Sequence, residues 1–235
     1  MVNLIPSIRL AFRMLVRDWR AGELTVLGIA LLLAVAALTS VGFLTDRVEQ
    51  ALRQESHQLL GGDLLLVADH PLPVAFTREA EERGLRVAQS VTFPSMVSVG
   101  DATQLAEIKA VSPGYPLRGT LRAAPALFAP DGPITTLPPR GEAWGDERLT
   151  TTLNLVSGTT VLLGQLTVHS GLVLTLEPDR GMNMFGLAPR LLINLDDLAA
   201  TGLVQVGSRV TYRLHMAGEA EAVAAFEAWL KTRLG

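Results

Sequence analysis

Residues 24–44 read LTVLGIALLLAVAALTSVGFL, 21 residues without a charge. A helix rises about 1.5 Å per residue, so this run spans roughly 30 Å, the thickness of a bilayer's hydrocarbon core. The rest of the chain is sorted by which side of the run it lies on. The 23 residues before it carry Arg9, Arg13, Arg17 and Arg20 against Asp18 and Glu23. The 191 residues after it suffice for one large water-soluble domain or two small lobes. Lys and Arg beside a span resist translocation. The N-terminus is therefore expected in the cytoplasm, and residues 45–235 in the periplasm or outside the cell. Those residues hold 16 Lys+Arg against 21 Asp+Glu and no long basic patch, so no nucleic acid is expected as a partner.

The span reads as an anchor. Ala34-Val35-Ala36 has the small-x-small form of a signal-peptide cleavage site, but the apolar run continues past it through Val41, Phe43 and Leu44. Ahead of the span, residues 5–20 have helical periodicity. Ile5, Ile8, Phe12, Leu15, Val16 and Trp19 fall on one stripe and the four arginines on its neighbour. Such a helix can lie in the headgroup layer of the lipid bilayer. Arg9, Arg13, Arg17, Trp19 and Arg20 are the candidate membrane-interface residues. Past the span, residues 45–60 keep helical spacing, which predicts a helical stalk that Gly61-Gly62 stops.

Residues 61–235 alternate short strand patterns with short helices. Residues 64–67 read as a buried strand and 77–83 as a polar-faced helix. Residues 86–99 and 104–111 read as two strands around the turn Gly100-Asp101. Residues 117–140 hold five prolines and read as a loop or a strand-poor excursion. Short strands follow at 159–163, 165–169, 172–177, 190–194 and 208–216, with a closing helix over 219–234. The fold class expected is α+β: an interfacial helix, one transmembrane helix with its stalk, then a two-lobed domain with a middle insertion at about 113–185.

The chain has no cysteine, which excludes disulfides, thiolate metal sites and a cysteine nucleophile. No G-x-x-x-x-G-K-[ST] occurs, so no ATPase site resides here, and no G-x-S-x-G marks a nucleophile elbow. His57, His70, His169 and His215 are far apart in sequence and read as structural or exposed. Asp196-Asp197 precedes a short helix, where carboxylates favour the N-terminal dipole. No catalytic, cofactor-binding or metal-binding residue is assigned, and the chain is read as no enzyme in itself. In the segment GMNMFGL at 181–187, Met182, Met184 and Phe185 are adaptable apolar side chains between glycines. They are candidate contacts for a partner protein or a lipid-like cargo, against the alternative that they plug the core.

Several stretches together resemble a known family. They are RDWRAGEL at 17–24, VGF at 41–43 with DRV at 46–48, and LLGGDL at 59–64. With them go YPLRG at 115–119, APR at 188–190 and NLDDL at 194–198. The set is similar to the N-terminal part of FtsX/MacB-type ABC transporter permeases, the YbbP-like branch in particular. That resemblance implies a first transmembrane helix in the bacterial inner membrane and a MacB-like periplasmic domain. It also implies a separate ABC ATPase subunit that carries ATP and Mg, and transmission of ATP-driven motion across the membrane. The substrate expected is hydrophobic or lipid-linked. Residues 1–235 then read as the opening segment of a longer permease. The alternative is a single-pass anchored module that tethers a periplasmic partner.

Overall fold

The computed structural model describes residue 17 and residues 23–180, 188–205 and 207–234. The chain divides into two units, Met1–Arg53 and Gln54–Gly235. Helix α1, Glu23–Leu60, is one uninterrupted element of 38 residues. Residues Gly28–Thr45 have a mean hydropathy of 2.2 and none is buried. Leu38 is 75% exposed, and Val35, Val41 and Phe43 are bare on other sides of the helix. A helix that is apolar all round and covered by nothing has the surface that lipid covers. Thr39 and Thr45 return their hydroxyls to the carbonyls of Val35 and Val41, one turn back. These two polar groups are thus satisfied inside their own helix, as a hydrocarbon surrounding requires. Arg17 is helical and exposed. Arg9, Arg13, Trp19 and Arg20 lie outside the described residues, so the interfacial stripe stays an expectation.

Among its described residues the second unit has ten strands in one sheet. They are β1 Leu64–Ala68, β2 Arg86–Val99, β3 Ala102–Val111, β4 Leu121–Ala124, β5 Gly132–Ile134, β6 Glu142–Asp146, β7 Thr160–Leu163, β8 Leu166–Leu176, β9 Arg190–Asn194 and β10 Thr211–Ala217. The α-helices that accompany them among the described residues are α2 Val74–Glu82, α3 Glu147–Leu153 and α4 Ala220–Leu234, with two short 3-10 turns at Leu195–Asp197 and Ala199–Thr201. The strands join in the order β1-β10-β2-β3-β9-β6-β8-β4-β5, with β7 bridging β2 and β8. The β3–β9 and β6–β8 pairs are parallel, and the remaining pairs are antiparallel. Residues 121–176 supply β4, β5, β6 and β8 at one end of the path. The stretches on either side of them in sequence supply the other end.

The alternation of β3 explains its central position. Ala106, Ile108 and Ala110 point into a core with Phe93, Val97, Leu149, Leu163, Leu191 and Ile193. The opposite face of β3 carries Glu107, Lys109 and Val111, which are also buried. Helices α2 and α4 close the β1–β10 end over Leu214, Met216, Phe226 and Leu230, with Phe76 edge-on to Trp229 at 5.7 Å.

Of the two readings of the proline-rich stretch 117–140, the strand-poor excursion fits: it holds the short strands β4 and β5, which pair as the outer hairpin. Its prolines sit at edge or loop positions, where a missing N–H costs no ladder bond. The two strands expected at 165–169 and 172–177 are one strand, β8. Gly171 sits at a register shift between β6 and β8, where an added Cβ would stand 1.9 Å from Glu142 Oε1. The glycine marks a bulge there and not a break. Helix α2 begins three residues earlier than Thr77, directly after Pro73.

Candidate functional site

On the second face of β3, register places unlike charges side by side. Glu107 and Arg190 are paired residues of the parallel β3–β9 ladder, and Lys109 follows two residues along. Arg190 Nη2 donates to Glu107 Oε2 at 2.5 Å, and its Nη1 donates to Glu177 Oε2 at 2.7 Å. Lys109 Nζ donates to Glu177 Oε1 at 2.7 Å, to Asp179 Oδ1 and to the hydroxyl oxygen of Tyr115 at 2.6 Å. Tyr115 in turn donates to Asp179 Oδ1 at 2.6 Å. Three carboxylates thus surround two cations, and Lys109 is completely buried. Further in, Ser90 Oγ lies 2.9 Å from His215 Nε2, and the His215 ring stands edge-on to Tyr115 at 5.4 Å.

The network ties together chain segments that are distant in sequence. Glu177 and Asp179 lie just before residues 181–187, and Arg190 lies just after them. Arg180 pairs with Asp146, whose other carboxylate oxygen caps α3 at Leu149 N. The Glu107 N–H holds the carbonyl of Pro189 at 2.8 Å. Both approaches to 181–187 are therefore anchored in a buried ionic base. Met182, Met184 and Phe185 themselves lie outside the described residues.

Electrostatics follows from this burial. Burial pushes the Tyr115 hydroxyl well above its ordinary value, helped by the charges of Glu177 and Asp179. For Asp179 burial acts upward as well, but the Lys109 ammonium and the Lys109 and Tyr115 hydrogen bonds outweigh it and hold the carboxyl well below 3.8. Arg190 loses hydration on burial, yet Glu177 and Glu107 raise its already high value. A depressed folded value means that Asp179 contributes stability in full above the ordinary 3.8, lost as the pH falls from there through the folded value. A raised folded value for the Tyr115 hydroxyl means stability in full below 10.0, lost as the pH rises through the folded value. Urea midpoints measured between pH ~2 and ~11 are expected to fall at both ends. Tyr115→Phe should make the alkaline limb shallower. An alkaline limb of unchanged slope would contradict this assignment.

A second constellation lies at the end of α1. Gly61 takes φ +65, a conformation that glycine adopts without steric cost, and its carbonyl accepts from the N–H of Leu117 at 3.0 Å and of Arg118 at 3.2 Å. Arg118 forks onto Asp63, Nε to Oδ1 at 2.9 Å and Nη2 to Oδ2 at 2.7 Å. Asp63 Oδ2 also accepts from the N–H of Gly218 at 3.0 Å. Sequence reasoning assigned no role to Asp63, Arg118 or the network residues. The stretches LLGGDL, YPLRG and APR, which carried the family resemblance, supply Gly61, Asp63, Tyr115, Arg118 and Arg190 to these two constellations. Asp63→Ala should cost about 1–2 kcal/mol by removing a forked ion pair whose arginine is partly solvated. Denaturant unfolding reads the loss, and an unchanged midpoint would dismiss the clasp as idle.

Asp197 is buried and accepts from the N–H of Gly141 at 2.7 Å, which holds the start of β6. Among the described residues no group of three or more His, Asp or Glu is placed to hold a metal ion.

No protein-family model matches the chain. The sequence resemblance to the YbbP-like branch of ABC transporter permeases is matched by a relative. The chain is 38% identical over 218 residues to YbbP, an uncharacterized ABC transporter permease of Escherichia coli strain K12. That match takes in 93% of this chain and 26% of YbbP, so the chain spans about a quarter of that protein's length. Two solved structures share parts of its outline. The periplasmic region of MacB from Actinobacillus actinomycetemcomitans has a TM-score of 0.46 at 12% identity, over 77% of this chain and 88% of that one. The extracellular domain of the ABC-type transporter YknZ from Gram-positive bacteria has a TM-score of 0.44 at 10% identity, over 69% and 88%.

Proposed function

We propose that the chain is part of an ABC transporter permease in the bacterial inner membrane. Helix α1 crosses the bilayer with its N-terminus in the cytoplasm, and the sheet unit stands on the periplasmic side. ATP and Mg are bound and turned over on a separate ATPase subunit. The permease passes the resulting motion outward to export or extract a hydrophobic or lipid-linked substrate. The observation that carries this reading is the uninterrupted helix Glu23–Leu60, apolar and bare over Gly28–Thr45. A continuous helix is stiff enough to transmit displacement without nucleating any new structure. The 38% identity to an ABC transporter permease supports the class.

The natural lack of cysteine makes the test clean. With Asp101→Cys, in the exposed turn between β2 and β3, a membrane-impermeant maleimide should label intact spheroplasts. Ser7→Cys should be labelled only after lysis. The full permease is expected to co-purify with an ATPase subunit encoded beside it. Its transport should stop when a cysteine cross-link immobilises residues 45–60. Labelling of the opposite pattern, absence of any ATPase subunit, or transport that survives the cross-link would each defeat the reading.

A further inference from the structure

Three carboxylates, Glu107, Glu177 and Asp179, face two cations, Lys109 and Arg190, and all five are buried. The cluster therefore holds one negative charge in excess. Residues 181–187, whose two approaches it anchors, contain no charged residue to balance it. A carboxylate without a cation is costly away from water. Tyr115 is neutral and supplies only a proton to share. One other titratable side chain is buried against the cluster among the described residues. It is His215, with none of its surface exposed. Its ring meets Tyr115 edge-on at 5.4 Å, and Tyr115 bonds Asp179. Its Nε2 lies 2.9 Å from Ser90 Oγ on β2. The same ring abuts Gly61, where an added Cβ would stand 3.5 Å from Nδ1.

We propose that His215 is held as the imidazolium that balances this buried cluster, and that its proton is a switch on the joint between residues 61–63 and 115–118. Burial by itself favours the neutral ring, and the charges that face it decide the matter. Glu177 and Asp179 lie beyond Tyr115, and a positive ring favours the Asp179 carboxylate. Lys109 on β3 is already shared between those two carboxylates. Asp63 forks onto Arg118, so the two segments of the joint bring no net charge. Strand β1 sets Leu65 opposite His215 and carries no charge. On β2 the residue opposite is Ala88, and Arg86 is exposed. On β10 itself Arg213 is half-buried and reaches Thr92. Those two arginines are screened by water, whereas the excess carboxylate inside is not. The joint feels the ring through the loop that Tyr115 opens. The carbonyl of Gly61 accepts from the N–H of Leu117 and of Arg118. Loss of the proton leaves excess negative charge beside Tyr115, and these two bonds loosen. The proposal does not depend on the permease reading.

Histidine-ring NMR of the full chain in detergent reads the charge directly. Ser90→Ala removes the hydroxyl beside His215 and so marks its signal among the four histidines. The His215 ring should still be imidazolium at pH ~7.5, about a unit above the ordinary ~6.5. A raised folded value gives stability in full below the unfolded ~6.5, lost as the pH rises through the folded value. The unfolding constant should therefore rise up to about ten-fold per pH unit above ~6.5. His215→Gln, which can still reach Ser90, should remove that slope. Hydrogen-exchange protection of the Leu117 and Arg118 amides should fall over the same range in the unaltered chain and stay level in His215→Gln. The NMR reading needs no change at position 215, so it holds even where that variant does not fold. A ring already neutral at pH ~6.5, an unfolding constant that does not rise with pH, or protection at Leu117 and Arg118 that ignores the His215 titration would each overturn the proposal.

Discussion

Lys109→Met is expected to destabilise the sheet unit by about 3–5 kcal/mol, the usual cost of breaking a buried ion pair from one side. Methionine matches the length of the lysine stem, so little packing is lost. What remains is Glu177 and Asp179, both buried, facing each other without the ammonium that holds them at hydrogen-bond distance. Tyr115 can satisfy only one oxygen with its single proton. For a unit of this size the loss corresponds to a fall in Tm of roughly 10 °C or more. Denaturant unfolding of the chain in detergent, followed by tryptophan fluorescence, measures it. The companion variant Lys109→Met/Asp179→Asn should be less impaired than the sum of its parts, because Glu177 keeps its pair with Arg190 and the substitution removes the carboxylate left without a cation. A loss below about 1 kcal/mol in the single variant would show that water or a rearranged Arg190 replaces the ammonium without cost.

Gly164→Ala should be comparably damaging for a reason that involves no charge. Gly164 turns the β7–β8 hairpin at φ +62, and an added Cβ would stand 2.2 Å from the carbonyl oxygen of Thr201. That carbonyl cannot move freely, since it accepts from the N–H of Gln165 at 2.8 Å. Alanine therefore meets both the left-handed penalty and a backbone collision, together about 2–4 kcal/mol. Gly158→Ala is the control, with φ +85 but open space around the Cβ. It should lose only the conformational part, about 1–2 kcal/mol. Equal losses at the two positions would mean that the contact with Thr201 contributes nothing.

Much of the architecture is legible before any coordinates. Apolar residues at every helical angle over 24–44 leave no face for water, which marks a candidate bilayer span. The alternation in β2 and β3 about Gly100-Asp101 specifies a hairpin, and both strands are there. The glycine pair after Leu60 specifies a helix end. Where the short strands β4 and β5 fall among the prolines of 117–140 is not legible, because β4 is set by its pairing with β8 and β5 by its pairing with β4.

The network was illegible for a different reason. In the strand LAEIKAV, Glu107 and Lys109 alternate with Ala106, Ile108 and Ala110, the pattern of a sheet with one wet face. Only the long-range pairing of β3 with β9, and the passage of Glu177 and Asp179 over that face, turn the wet face into a buried one. The one signal available was Tyr115 and Arg190 inside the stretches that carried the family resemblance, and nothing in their spacing says that they meet. The sequence by itself determined the candidate membrane span, the α+β class and the similarity to a permease, because periodicity and local motifs are properties of neighbouring residues. Tertiary structure alone decided which charges are buried together, which glycine cannot accept a Cβ, and that His215 is buried against Tyr115. Those are properties of residues that meet only after the chain has folded.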